Sequence, residues 1–347
     1  MSDGAGGAGA GARRRVLLRG ALGLALAAAV FVFVVPRIAG YGSVAHQLAT
    51  VSAPWAAALA AAALLDILTS ALPWKVVLPQ LSWFGALAFP QASTALTSVL
   101  PGGAPLGMAI SYGLLRRQRI SSGEAGFAVA LTGVWSQLAI LVYPLVGAVL
   151  VFGSGRLSES TAIIAGVSGT VALVGAGGAF AALRSRRAAL WLGRVIWRLT
   201  GAVNRLLRRE PPAWDEEAIA RFRDERVTLL RRRWPALTAA TLANQLGAYL
   251  AFELSLRALG ISFHQLPPTE TFLAWGIGRL LSSLPLTPAG IGVVELGMIG
   301  TLVGFGAPHA HVVAAVLLYR GLIVVPTLVA GFLALLALRR GPATATS

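Results

Sequence analysis

Six stretches of this chain are apolar for long enough to cross a bilayer, more than a water-soluble core can absorb. They run Val16 to Val35, Pro54 to Val77, Gly126 to Phe152, Thr161 to Leu183, Ala236 to Leu259 and Val312 to Leu338, and a spanning helix needs roughly 17 to 25 residues. Of 347 residues, 56% are hydrophobic and 12% charged, whereas a soluble domain carries about 25% charge. Backbone polar groups cannot reach water in hydrocarbon, so continuous runs of this kind must close their hydrogen bonds as helices. The expected fold is all-α, a polytopic integral membrane protein.

Two further apolar stretches, Trp83 to Leu115 and Thr271 to Gly306, are too long for one straight span and are interrupted near their centres by Pro and Gly. The arginines decide how they run. Between Arg184 and Arg233 lie fourteen arginines, which puts that segment in the cytoplasm by the positive-inside rule. Counting outward, Arg13 to Arg15 and Arg339 and Arg340 also fall inside, and the outer loops hold only Arg37, Arg156 and Arg257. The count closes if Trp83 to Leu115 enters from the cytoplasm and returns to it, because a full crossing would strand Arg116, Arg117 and Arg119 outside. Thr271 to Gly306 must then enter from the outside and return there.

The predicted architecture is six full transmembrane helices plus two oppositely oriented re-entrant hairpins in an inverted repeat, each half reading span, span, hairpin, span. The alternative is eight kinked transmembrane helices, since proline kinks are common in long helices. The hairpin tips are alike: Ser98-Val-Leu-Pro-Gly-Gly-Ala-Pro-Leu-Gly107 and Ser282-Ser-Leu-Pro-Leu-Thr-Pro-Ala-Gly-Ile-Gly292. Inverted repeats in transporters place the substrate near the midplane among broken helices. One membrane domain is expected over 16–340, with 16–152 as first repeat and 161–338 as second. Residues 1–15 are expected to form a disordered tail, and the run after Arg15 reads as a retained helix rather than a cleaved signal.

Within the second repeat, 184–235 reads as a cytoplasmic basic amphipathic segment. Trp191, Val195, Leu199, Val203 and Leu206 share one helical face bordered by Arg194, Arg198, Arg205 and Arg208, a pattern suited to anionic headgroups at the inner interface. After Pro211-Pro212, a second helix is predicted from Asp215 to Arg233, acid first and base last, as the helix dipole favours. The net charge of +16 therefore speaks of orientation and anionic lipid, not nucleic acid.

Asp66, Glu253, Arg279, Glu295 and Arg320 all fall inside the proposed spans or hairpins, where an ionised side chain is costly unless paired or wet. Asp66 and Glu253 sit at similar distances before their hairpin tips and read as approximate repeat mates for coupling or charge pairing. Arg279 and Arg320 are candidates to hold an anionic headgroup or to pair with Glu295 or Glu253. Glu124, three residues after Ser121, reads as a helix cap. His309 and His311 lack a third ligand, and cysteine is absent, so no metal site and no cofactor are expected. No P-loop, His-Glu-x-x-His or Gly-x-Ser-x-Gly occurs, and the chain is not expected to be an enzyme.

The stretch Leu284-Pro-Leu-Thr-Pro-Ala-Gly-Ile-Gly-Val-Val-Glu295, followed by Ala314-Ala-Val-Leu-Leu-Tyr-Arg320, resembles the transmembrane domain of the lysylphosphatidylglycerol synthase and flippase family. The Leu-Pro-Gly-Gly of the first hairpin fits the same pattern. The resemblance implies translocation of an anionic or aminoacylated phospholipid across the cell membrane, with both termini cytoplasmic. It also implies importance for Pro285, Pro288, Gly290, Gly292, Glu295, Tyr319 and Arg320. Only Gly341 to Ser347 follow the last span, so lipid lysylation is not expected of this chain, and a separate lipid-modifying enzyme is a conceivable partner. A non-transporting scaffold for such an enzyme and a transporter of a small soluble solute are the competing readings.

Overall fold

The computed structural model describes residues 49–99, 103–153, 155, 159–185, 187, 190, 191, 194, 218–284 and 290–339. The run Val16 to Val35, residues 100–102 and 285–289 of the two hairpin tips and most of the interfacial segment at 188–207 lie outside the described residues. Among the described residues ten helices follow in order: α1 Ala53–Thr69, α2 Leu72–Val77, α3 Trp83–Val99, α4 Gly103–Arg117, α5 Ser122–Phe152, α6 Glu159–Arg184, α7 Ala218–Ala258, α8 Pro268–Ser282, α9 Val293–Gly304 and α10 His309–Arg339.

Local chemistry sets several of these boundaries. Ser121 caps α5: its hydroxyl accepts from the Glu124 amide at 3.3 Å, and the Glu124 carboxylate accepts from that hydroxyl at 2.9 Å. Pro54, Pro73 and Pro268 each stand in the first turn of a helix, where their missing N–H costs nothing. Arg119, at φ 63°, turns the chain from α4 into α5.

Among the described residues, three stretches are long and apolar enough to cross a membrane: Ala53–Val77, Ser122–Phe152 and His309–Leu335. Helix α6, at 26 residues, has the length but a shorter apolar stretch, Ala162–Gly175. Helix α7 carries Asn244, Gln245, Glu253 and Arg257 within its apolar half, all of them buried or half-buried. The helix predicted to end at Arg233 does not end there. It continues through Pro235 into the next span as one helix of 41 residues, because a proline removes one hydrogen bond but leaves the flanking turns intact.

The interior divides into two cores. One joins Val77, Leu81, Ala86 and Phe89 to Leu114, Leu115, the early residues Ala125 to Leu131 of α5, Leu237 of α7 and Ala334 of α10. The other joins the late residues Ile140 to Val151 of α5, Ala248 to Leu256 of α7, Leu273 to Ile277, Val294 to Leu302 and the early residues Val312 to Tyr319 of α10. The α3/α4 pair therefore packs at one end of the long helices and the α8/α9 pair at the other.

The pairs also cross over between halves. Helix α8 packs chiefly on α5, and α3 packs on α10. Glycines make both seams close: a Cβ on Gly147 of α5 would lie 2.6 Å from the Leu273 Cα, one on Gly276 of α8 would lie 3.0 Å from the Tyr143 carbonyl carbon, and one on Gly331 of α10 would lie 2.5 Å from the Gln91 carbonyl oxygen. Outward, Val149, Phe152, Val167, Leu173, Val174, Phe332 and Leu333 stand exposed, a surface suited to hydrocarbon rather than water.

Candidate functional site

The break between α8 and α9 rejoins the helix through Gly290 and Gly292, whose φ values of 68° and 87° lie in the left-handed region. Only glycine takes up such angles without steric cost. At Gly290 a Cβ would also press to 2.7 Å from Val294 Cγ2. The turn leaves the first amides of α9 without helical partners, and Glu295 answers one of them: its Oε2 accepts from the Gly292 N–H at 2.6 Å. Its other oxygen, Oε1, accepts from Arg320 Nε of α10 at 2.6 Å. Glu295 is thus at once a cap for α9 and the acceptor that ties α9 to α10.

Immediately before Arg320, Tyr319 is buried, and its hydroxyl accepts from Trp275 Nε1 at 3.2 Å. Trp275 has no exposed surface. Its ring lies 5.0 Å from that of Tyr143 and 6.0 Å from the Arg279 guanidinium carbon. The Arg279 charge acts on Asp66 of α1, Tyr143 of α5 and Tyr319 of α10. Both Arg279 Nε and the Tyr143 hydroxyl are buried and lack a hydrogen-bond partner among the described residues. Helices α5, α7, α8 and α10, from both halves, meet around this tryptophan, the Tyr249 ring of α7 lying 5.6 Å from it.

Of the residues singled out from sequence, Asp66, Arg279, Gly290, Gly292, Glu295, Tyr319 and Arg320 thus lie along one region, and Pro285 and Pro288 fall outside the described residues. Glu253 belongs elsewhere. The Asp66 carbonyl accepts from Asn244 at 3.3 Å, and its backbone lies against Gly247. Glu253 is bound by Arg257 one turn on and accepts from Thr271 at 2.6 Å. Arg257, expected on an outer loop, is buried. Its guanidinium donates to the carbonyls of Ile261 and Ser262, both at 2.9 Å, and of Leu266 at 2.8 Å. That cluster clips the α7–α8 connection to the helix end, and its spacing of four residues was a readable signal for an ion pair.

Tyr143 and Trp275 were not anticipated. Aromatic residues in an apolar run read as packing, and only their convergence on Arg279 distinguishes them. No group of three or more His, Asp or Glu side chains that could hold a metal ion occurs among the described residues.

No curated protein and no solved structure matches the chain. The family described as the lysylphosphatidylglycerol synthase TM region matches residues 20–331, which include every element described above except the last turns of α10. The chain belongs to the lysylphosphatidylglycerol synthase transmembrane-region family.

Proposed function

We propose that this protein moves an anionic or aminoacylated phospholipid, or a related envelope lipid, between the leaflets of the cell membrane, with both termini in the cytoplasm. The observation that carries the reading is the grouping of Arg279, whose charge acts on Asp66, with the Glu295–Arg320 pair where elements of the two halves pack together. Charged groups so placed in a membrane protein mark the path of a polar substrate.

In this reading the α3/α4 and α8/α9 pairs are re-entrant hairpins. At about 1.5 Å per residue, α3, α4, α8 and α9 reach only about 18 to 26 Å, short of a hydrocarbon core of about 30 Å. Their attachment to opposite cores supports entry from opposite faces. Arg233, which donates to the Val76 carbonyl at 2.8 Å, and Arg116 and Arg117 at the end of α4 support a cytoplasmic α3/α4 mouth. Opposed hairpins would bring released backbone groups toward the midplane from both sides, where a headgroup needs them.

The test is leaflet exchange. Liposomes containing the purified protein and fluorescently labelled phosphatidylglycerol, aminoacylated lipid or polyprenyl phosphate are treated with dithionite, with and without a proton gradient. Accelerated loss of the protected signal, slowed by Arg279→Gln in folded protein, is the expected result. Exchange no faster than in empty liposomes for every lipid would replace translocation with the scaffold reading.

A further inference from the structure

We propose that α5 and α7 enclose a polar passage that holds water, closed at its Arg233 end by the hydrogen bond between Trp135 and Thr238. This goes beyond the translocation reading and does not depend on which substrate, if any, crosses.

Trp135 of α5 donates from Nε1 to the Thr238 hydroxyl of α7 at 2.9 Å, and that hydroxyl donates in turn to the Trp234 carbonyl at 2.8 Å. The bond lies about 7.5 Å along α7 from Arg233. A further stretch of about 16 Å leads to Tyr249, whose ring lies 5.6 Å from Trp275. Between these two tryptophans, the row of α7 that carries Thr238 and Tyr249 holds Thr241 and Gln245, at spacings of three and four residues that share one helix face. Both are buried. On α5 the interval from Trp135 to Tyr143 holds Ser136 and Ala139, both half-buried, and α5 packs chiefly on α8 and α6 rather than on α7. Small side chains on one helix and polar ones on the other leave room between them.

A Ser or Thr hydroxyl in an apolar helix commonly donates to the carbonyl four residues back, as Thr132, Thr238, Ser255 and Thr301 do here. Thr241 does not: its oxygen is buried and has no partner among the described residues, and the same holds for the Tyr143 hydroxyl at the far end. Such groups are costly within a membrane. Water both donates and accepts, so a short file of it serves the Thr241 hydroxyl, the Gln245 amide and the Tyr143 phenol together. Thr241, Gln245 and Ser136 carry no charge, and nothing in the row favours an ion over water. The broad indole of Trp135 stands across the end nearest Arg233, held by its single N–H.

The chain has no cysteine, so Thr241→Cys and Gln245→Cys can be probed singly with silver ion, which is close to water in size and captures thiols that water can ionise. Protein in sealed vesicles is exposed to silver from one side, and the thiols left free are counted with maleimide after denaturation. Both should react slowly from the side on which Ser122→Cys reacts, and not from that of Phe263→Cys. Trp135→Phe, which keeps an aromatic ring and deletes the N–H, should speed both about fivefold, equivalent to about 1 kcal/mol, and Thr238→Val should do the same. Ala251→Cys, in the apolar core with no exposed surface, should stay unreacted in every background, which separates opening of the passage from general loosening. Thr241→Cys and Gln245→Cys reacting no faster than Ala251→Cys, with or without Trp135→Phe, would overturn the passage. Equal rates with and without Trp135→Phe, or reaction from the Phe263 side, would overturn the closure assigned to Trp135. Leaflet exchange is a separate readout: its absence would remove the translocation reading and leave the silver rates unchanged.

Discussion

At the scale of single residues, Glu295 does two jobs whose separation is measurable. Its carboxylate is bound both by the Gly292 amide and by Arg320, and leaving one member of a buried pair alone costs about 3 to 5 kcal/mol. Glu295→Gln and Arg320→Gln are each expected to lower the melting temperature of the detergent-solubilised protein, and the double variant to lose less than the sum. Arg279→Gln combined with Glu295→Gln should instead be close to additive, since the Arg279 charge acts on Asp66 and the tyrosines. The backbone beside Glu295 offers a second measurement. Gly292→Ala forces a Cβ onto a φ of 87°, so a loss of about 1 to 2 kcal/mol is expected, read as an earlier melt with the helix content unchanged. The sequence made Glu295, Arg320 and the glycines legible because charge and glycine are conspicuous among apolar residues. It did not reveal Tyr143 or Trp275, whose rings meet across more than a hundred positions of sequence.

Between helices, the informative contacts are the places where two backbones nearly touch. Gly147 and Gly276 bring α5 and α8 together, and Gly331 brings α10 onto α3. In lipid, close backbone approach of this kind takes over from hydrophobic burial as a source of helix affinity. Gly147→Val and Gly331→Val should therefore each destabilise the protein, by about 1 to 3 kcal/mol for an overpacked contact, detectable as a lower temperature of aggregation. Valine at Gly300, whose Cβ would meet nothing within 4 Å, is the matched control and should melt like the wild type. Helix existence was legible from apolar length, and the Ser121–Glu124 cap was legible from its spacing. The end of α7 was not: acid first and base last described a helix complete at Arg233, but nothing in that pattern forbids the next turn, and Pro235 is accommodated inside it. Arg257 was misplaced for a related reason. Charge near the end of an apolar run looks like a loop, yet Glu253 one turn earlier holds it inside.

For the molecule as a whole, orientation can be read directly because the chain has no cysteine. With an impermeant thiol reagent on intact cells, Phe263→Cys should react from outside, and Ser122→Cys should react only after the membrane is opened. Both sites are exposed, whereas Ala307, on the same outer side by the sequence reading, is buried and would be a poor probe. Labelling of Ser122→Cys in sealed cells would make α3 and α4 a net crossing and leave Arg116 and Arg117 outside. The two-half pattern was legible from the arginines and the matching Pro-Gly breaks, but the exchange of partners between halves was not, since periodicity reports a buried face without saying what buries it. That exchange has a consequence for biosynthesis. Helix α3 emerges early, yet the helix it packs on, α10, is the last one described, roughly 200 residues later, and at about 5 to 20 residues per second a ribosome needs about 10 to 40 s to deliver it. Over that interval the nascent α3/α4 segment waits without its main contact surface, so the face of α3 around Ala95 and the Gln91 carbonyl, against which Gly331 will pack, must be sheltered by the insertion machinery or by lipid until translation is nearly complete.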